Sequence, residues 1–274
     1  MTRVLVTGGA GLVGSTLVAT APDDVEVHAT QRNTPVVGAT AHTVDLADPD
    51  EPVGLLAAVR PAVVIHTAYG TDDLERDVIA ATRSVAAACA IQGAALVHLS
   101  SDVVFDGEHA PYAEDAPLMP VHAYGRAKAE AEADVATAVP DAAVVRTSLV
   151  CAADPLDPRS AWVVDTLRAG EPITLYTDEI RCPVRSDDLA LMLWDLVARP
   201  RPERAGPWHL VGPEALSRLD LGVLLAAAHD LDPAGITPSS SRDLPAPRPR
   251  DLTLTAARAA ALPTRPRPVR TLWP

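Results

Sequence analysis

The first nineteen residues constrain the fold more than any other stretch. Arg3 to Thr7 (Arg-Val-Leu-Val-Thr) is a short β-branched run, Gly8-Gly9-Ala10-Gly11 follows at once, and Leu12 to Ala19 has helical spacing that closes near Pro22. A strand entering a helix through a glycine turn predicts one unit of a parallel α/β sheet. Gly8, Gly11 and Gly14 form T-G-x-x-G-x-x-G, and Gly9, Gly11 and Gly14 also satisfy the general dinucleotide pattern. Such glycines permit the tight turn, let backbone approach a pyrophosphate and seat the helix close to the strand. Leu12 and Val13 then stand at the helix N-terminus that faces the phosphates.

The alternation continues. Val25 to Thr30 reads as a second strand, Thr43 to Leu46 as a third strand end, Pro52 to Arg60 as a helix and Ala62 to His66 as a fourth strand. Asp73 to Gln92 reads as a long Ala-rich helix, Ala94 to Leu99 as a fifth strand and Arg146 to Val150 as a sixth. Short apolar runs between helices predict a Rossmann-like, doubly wound parallel sheet covered on both faces. The residue just past the second strand normally selects the cofactor, because a carboxylate there holds the ribose 2′-hydroxyl of NAD. Here Thr30-Gln31-Arg32-Asn33 offers no carboxylate, and Arg32 can pair with a 2′-phosphate, so NADP(H) is expected over NAD(H).

Ligands of such sheets bind at the carboxyl ends of the strands. Ser100 and Ser101 lie there, and Tyr124 and Lys128 follow four residues apart on a helix-like segment, so both project from one face. Lys128 is the only lysine in the chain. An ammonium ~4 Å from a phenol contributes ~4 kcal/mol at an effective dielectric of ~20, about three pKa units. The expectation is a Tyr124 tuned toward neutral pH by Lys128. A serine hydroxyl could then hold a carbonyl oxygen while charge develops on it.

Composition excludes several classes. The 274 residues suit one large domain or a domain plus a smaller lobe. A formal charge of −13 disfavours nucleic acid. Cys89, Cys151 and Cys182 are far apart, which argues against a disulfide framework or zinc site, and the eight scattered His show no metal-ligand spacing. Without a signal-like or bilayer-length apolar run, a soluble, cytoplasmic protein is expected, with no membrane partner.

These residues resemble the extended short-chain dehydrogenase/reductase superfamily: Thr7-Gly8-Gly9-Ala10-Gly11-Leu12-Val13-Gly14, the Asp45-Leu46 pair, the Ser-Tyr-Lys set and Arg146-Thr147-Ser148 occur in its order. Within it, the chain is similar to the dTDP-4-dehydrorhamnose reductase branch. Ser100-Ser101-Asp102-Val103-Val104-Phe105-Asp106-Gly107 resembles that branch's S-T-D-Y-V-F-D-G, with Ser101 at the place of the catalytic Thr and Val103 in place of Tyr. Asp178 to Val184 with Asp188-Leu189-Ala190, and the ending from Arg248 to Trp273, also resemble it. The resemblance implies that Asp45 and Leu46 flank the adenine, that Ala68 lines the cofactor, and that Ser101, Tyr124 and Lys128 are catalytic. It implies a reductase of the 4-keto group of a nucleotide-linked deoxysugar. An epimerase or dehydratase of the same superfamily stays open, although Asp102-Val103 supplies only half of a dehydratase's acidic pair. So does a regulatory binder, since the β subunit of methionine adenosyltransferase is similar to this branch.

Residues 1–150 are expected to form the NAD(P)-binding domain and residues 151–274 mainly a substrate lobe of mixed α/β structure, with about 176–200 returning to the Rossmann sheet. In that lobe Trp162 to Ala169 reads as a helix, Ile173 to Tyr176 as a strand, Asp187 to Ala198 as a helix, Trp208 to Val211 as a strand and Ser217 to His229 as a helix. On the substrate side stand Ser101, Val103 and Tyr124, with Trp162 to stack on a base or sugar and Arg181 to meet a diphosphate. A homodimer is a further expectation.

Overall fold

The computed structural model describes residues 1–273. Strands β1 (Thr2–Thr7), β2 (Val25–Gln31), β3 (Thr40–Thr43), β4 (Val63–His66), β5 (Ala95–Ser101) and β6 (Ala143–Thr147) come from the first half of the chain. Helices α1 (Leu12–Ala19), α2 (Glu51–Val59), α3 (Ala81–Gln92) and α4 (Ala123–Ala138) lie between successive strands everywhere but between β2 and β3. The second half adds α5 (Pro158–Arg168), β7 (Ile173–Tyr176), α6 (Ser186–Ala198), β8 (Gly206–His209), α7 (Arg218–Ala228) and β9 (Ile236–Ser239), besides shorter pieces. One seven-stranded sheet runs in the order β8-β6-β5-β4-β1-β2-β3, and every neighbouring pair is parallel.

The pleat sorts the apolar strand residues onto two faces. Val4, Val6, Ile65, Val97 and Val145 pack with Leu17 of α1 and with Leu193 and Trp194 of α6. Leu5, Val64, Leu96 and Val144 face Leu56 of α2, Val85 and Ala88 of α3 and Val135 of α4. Because both faces are covered, β4 and β6 are buried at every residue, which is why Val63-Val64-Ile65 and Ala143-Val144-Val145 read as consecutive apolar residues rather than alternating ones. A separate core fills the C-terminal lobe, where Val164 and Leu167 of α5, Leu175 of β7, Leu225 of α7 and Ile236 of β9 meet.

Several boundaries differ from the sequence reading. The third strand is Thr40–Thr43, so Asp45 and Leu46 lie past the sheet. The sixth begins at Ala143, and Arg146 sits near its end, where Glu132 of α4 pairs with it. The long helix read from Asp73 opens with a π-helical turn over Glu75–Ala80 before α3, a distortion concentrated at functional sites. The strand read from Trp208 to Val211 is Gly206–His209; at Gly212 an added Cβ would stand 1.8 Å from the Pro183 carbonyl oxygen, so the chain past β8 runs against a neighbouring loop.

Candidate functional site

The glycine turn forms one wall of a cavity of about 360 Å³ at the carboxyl ends of β1, β2 and β4, lined by Gly8, Gly11, Arg32, Asp45, Leu46 and Ala68 among others. Gly8 has φ +70°, and a Cβ there would lie 2.8 Å from the Ala68 Cα. At Gly14 a Cβ would lie 2.2 Å from the Gly8 carbonyl oxygen, so only glycine lets α1 start this close to β1. The Thr7 hydroxyl oxygen accepts from the backbone N–H groups of Thr67 (3.1 Å) and Ala68 (3.3 Å), which ties the end of β4 to the turn. Leu12 and Val13 are half-buried in the first turn of α1; Val13 packs into the core, and neither side chain lines the cavity. A turn that side chains would fill, at a helix N-terminus, fits a dinucleotide pyrophosphate.

Charge gathers at the cavity's other end. Arg32 Nη1 donates to Asp77 Oδ1 at 2.9 Å, Arg76 Nη1 donates to the same oxygen at 2.7 Å, and Arg76 Nη2 donates to Asp45 Oδ2. Arg76 and Asp77 were not singled out in the sequence, where nothing marks two charges in an Ala-rich helix as ligand-facing.

The serine, tyrosine and lysine converge between β5 and α4. Ser101 closes β5, and its Oγ donates to Asp102 Oδ1 at 3.1 Å. The buried Asp102 carboxylate also accepts from Ser148 Oγ at 2.6 Å, and Ser148 in turn accepts from the Cys182 N–H. His122 caps α4, its Nδ1 accepting from the Gly125 N–H at 3.0 Å. A Cβ at Gly125 would lie 2.3 Å from the Val103 carbonyl oxygen, so this glycine lets Tyr124 approach the Ser101 segment. The Tyr-Gly dipeptide was the available signal for that contact.

The electrostatics overturn one expectation. Burial, followed by the neighbouring Tyr69 ring, pushes the Tyr124 phenol above its ordinary value, and Lys128 is not among the groups that move it. Lys128 is itself buried; its Nζ donates to the Leu99 carbonyl oxygen at 3.0 Å, and burial pushes its pKa down to about 8. Helical spacing alone places the ammonium beside the phenol as a charge at full strength. Loss of solvent instead acts on both groups and favours the neutral form of each. Tyr124 therefore carries its proton at neutral pH, and among the described residues its hydroxyl has no hydrogen-bond partner.

Beneath the lysine lies a layer of buried imidazoles. His66 and His98 stack at 5.4 Å, and burial, then Lys128, pushes His66 down to about 3. His66 is held by the hydroxyls of Thr7 (2.7 Å) and Thr82 (3.1 Å), whereas both His98 ring nitrogens lack partners among the described residues.

A second cavity of about 350 Å³ belongs to the C-terminal lobe, where Arg159, Trp162, Tyr176, Glu179, Arg218 and Arg248 line it. Glu179 pairs with Arg218 and Arg248. Ser101, Tyr124 and Lys128 line neither cavity, but Tyr69 of the first has its ring 6.1 Å from that of Tyr124, and Arg159 of the second acts on the Tyr124 phenol. Tyr124 thus stands near residues of both. Trp162 is exposed in the second cavity. Arg181 is not there: it is buried, Nη1 donates to the carbonyls of Ile180 and Arg250, and Nη2 donates to Pro249. Its guanidinium pins the C-terminal segment and is closed to a diphosphate. The Val103 side chain packs with Val104, Phe105 and their neighbours instead of lining a cavity.

The family model described as RmlD substrate binding domain matches residues 1–271. A probable low-salt glycan biosynthesis reductase, Agl14, of Haloferax volcanii is 31% identical over 264 residues, covering 89% of this chain and 87% of that protein. A dTDP-4-dehydrorhamnose reductase of Mycolicibacterium smegmatis is 30% identical over 272 residues, covering 94% of this chain and 79% of its own. Among solved structures, that of a hypothetical dTDP-4-dehydrorhamnose reductase from Sulfolobus tokodaii superposes with a TM-score of 0.83 at 26% identity, covering 96% of each chain.

Proposed function

The chain belongs to the RmlD substrate binding domain family, and from that membership we propose that it is an NAD(P)H-dependent reductase of the 4-keto group of a nucleotide-linked deoxysugar. The observation that supports this reading is Lys128 of α4 reaching the Leu99 carbonyl of β5, one helical turn from Tyr124, whose ring lies 6.1 Å from that of Tyr69 in the glycine-cradled cavity. Gly8, Gly11 and the first turn of α1 would hold the pyrophosphate, Ala68 would border the cofactor, and Asp45 and Leu46 would flank its adenosine end. When bound, the reduced nicotinamide supplies a hydride to the carbonyl carbon.

The protein's own work is to manage the oxygen. Ser101 Oγ turns its one proton from Asp102, which Ser148 still holds, to donate to the carbonyl oxygen. As that oxygen gains negative charge, Tyr124 gives it the phenolic proton. A phenol with a raised pKa is still far more acidic than the alcohol formed, and its partner-free hydroxyl has no internal bond to break. Lys128, fixed on the Leu99 carbonyl, has further N–H donors for ribose hydroxyls. In the second cavity Arg159, Arg218 and Arg248 suit a diphosphate, and Trp162 offers a face for the base or sugar. Arg32 of the first cavity, with Arg76 bonded to the cavity's Asp45 and Asp77, favours NADPH over NADH, because guanidinium groups match a 2′-phosphate.

The test is purified protein with NADPH or NADH and a panel of keto-sugar nucleotides, followed at the absorbance of the reduced cofactor. Consumption with a dTDP-4-keto-6-deoxysugar is expected. Tight cofactor binding without turnover of any of them would sink the reductase reading in favour of a regulatory binder.

A further inference from the structure

The charged cluster beside the first cavity is tethered by one residue. Asp77 Oδ1 accepts from both Arg32 (2.9 Å) and Arg76 (2.7 Å), while Arg76 reaches on to Asp45. Two guanidinium groups and two carboxylates cancel. The arginines are open, with side-chain exposures of 55% for Arg32 and 39% for Arg76, but Asp77 is only 14% exposed. Its position is fixed as well, since a Cβ at Gly70 would lie 2.5 Å from Asp77 Oδ2. The accessible cations are held by a largely enclosed carboxylate that still lines the cavity.

We infer that Asp77 is the specificity-determining residue for the cofactor, setting the preference between NADP(H) and NAD(H) by competing with a 2′-phosphate for Arg32 and Arg76. The inference rests on the nicotinamide-cofactor reading above. A 2′-phosphate is recognised by planar guanidinium donors and must draw them away from the carboxylate they already serve. A 2′-hydroxyl makes no such demand, and it finds carboxylate acceptors in Asp45 and Asp77, the arrangement by which an acidic group selects NAD. The same side chain therefore disfavours one cofactor and accommodates the other. Arg32 alone, read from the sequence, points only toward NADP(H); the counterweight comes from 45 residues further along the chain.

Asp77→Asn keeps the shape against Gly70 and removes the charge. The experiment is fluorescence titration of the full-length protein with NADPH and with NADH, parent and variant, at one low ionic strength. The ratio Kd(NADH)/Kd(NADPH) is expected to rise about three- to tenfold in the variant, the scale of two exposed ion pairs that no longer have to be broken. Adding Arg76→Ala to Asp77→Asn should take back much of that rise, because the gain needs the freed guanidinium. Equal changes for both nucleotides, or a fall in the ratio, would make Asp77 a prop for the Gly70 loop and overturn the inference. Binding of neither nucleotide by the parent protein would instead overturn the nicotinamide reading, and the inference with it.

Discussion

Replacing Lys128 by methionine should make the protein more stable while removing its chemistry. Lys128 is buried, and burial lowers its pKa from 10.5 to about 8. A folded pKa below the unfolded one means that the native state resists protonation. The destabilisation is complete below pH ~8 and is relieved as pH rises toward ~10.5, because across that window the unfolded chain binds more protons. The depression corresponds to about 3 kcal/mol at pH 7 and about 1 kcal/mol at pH 9.5. Methionine fills similar volume without charge but gives up the hydrogen bond to the Leu99 carbonyl, worth about 1 kcal/mol. The net expectation is a gain of about 2 kcal/mol at pH 7 that shrinks to near zero at pH 9.5. Urea unfolding of both proteins at the two pH values, fitted with a common slope, reads it directly. A variant that is less stable at pH 7, or a gain indifferent to pH, would refute the account of Lys128 as a charge kept in the core at the expense of stability. Loss of turnover in the stabilised variant would show what that cost supports.

Tyr124→Phe should lower turnover by about 10² to 10⁴ with cofactor affinity retained, measured by steady-state kinetics alongside cofactor titration; full activity would remove Tyr124 from the mechanism. Glu132→Ala leaves the Arg146 guanidinium, whose side chain is only 7% exposed, without its carboxylate, and should cost about 3–5 kcal/mol in denaturant unfolding. Gly14→Ala must push α1 away from the Gly8 carbonyl, so a loss of about 1–3 kcal/mol in stability should accompany weaker binding of both nicotinamide cofactors.

The glycine turn and the run of β-branched strands were legible in the sequence because each follows from a local rule: Gly8 and Gly14 answer backbone contacts within a few residues, and β4 and β6 are apolar because both sheet faces are covered. Ser101, Tyr124 and Lys128 stood out by strand-end position and helical spacing. What the spacing could not convey was solvent. Whether Lys128 acts on Tyr124 depends on how far each is buried, and residues distant in sequence, such as Tyr69 beyond the end of β4, contribute to that. Arg181 was misread for a related reason, since its carbonyl partners at 249 and 250 arrive from 68 and 69 residues away. Arg218 and Arg248 were overlooked because helix and coil arginines look alike until a cavity forms beside them.

The seventh strand carries a consequence for biogenesis. β8 pairs with β6 along its whole length, yet it begins at residue 206, 59 residues after β6 ends at residue 147. At about 5–20 residues per second of synthesis, the β6 edge waits on the order of 3–12 s on the ribosome before its partner exists. During that wait a strand with the apolar run Ala143-Val144-Val145 offers unpaired N–H and C=O groups to any passing chain. A fragment ended anywhere between β6 and β8 would make that exposure permanent, so expression of the first half alone should yield aggregates.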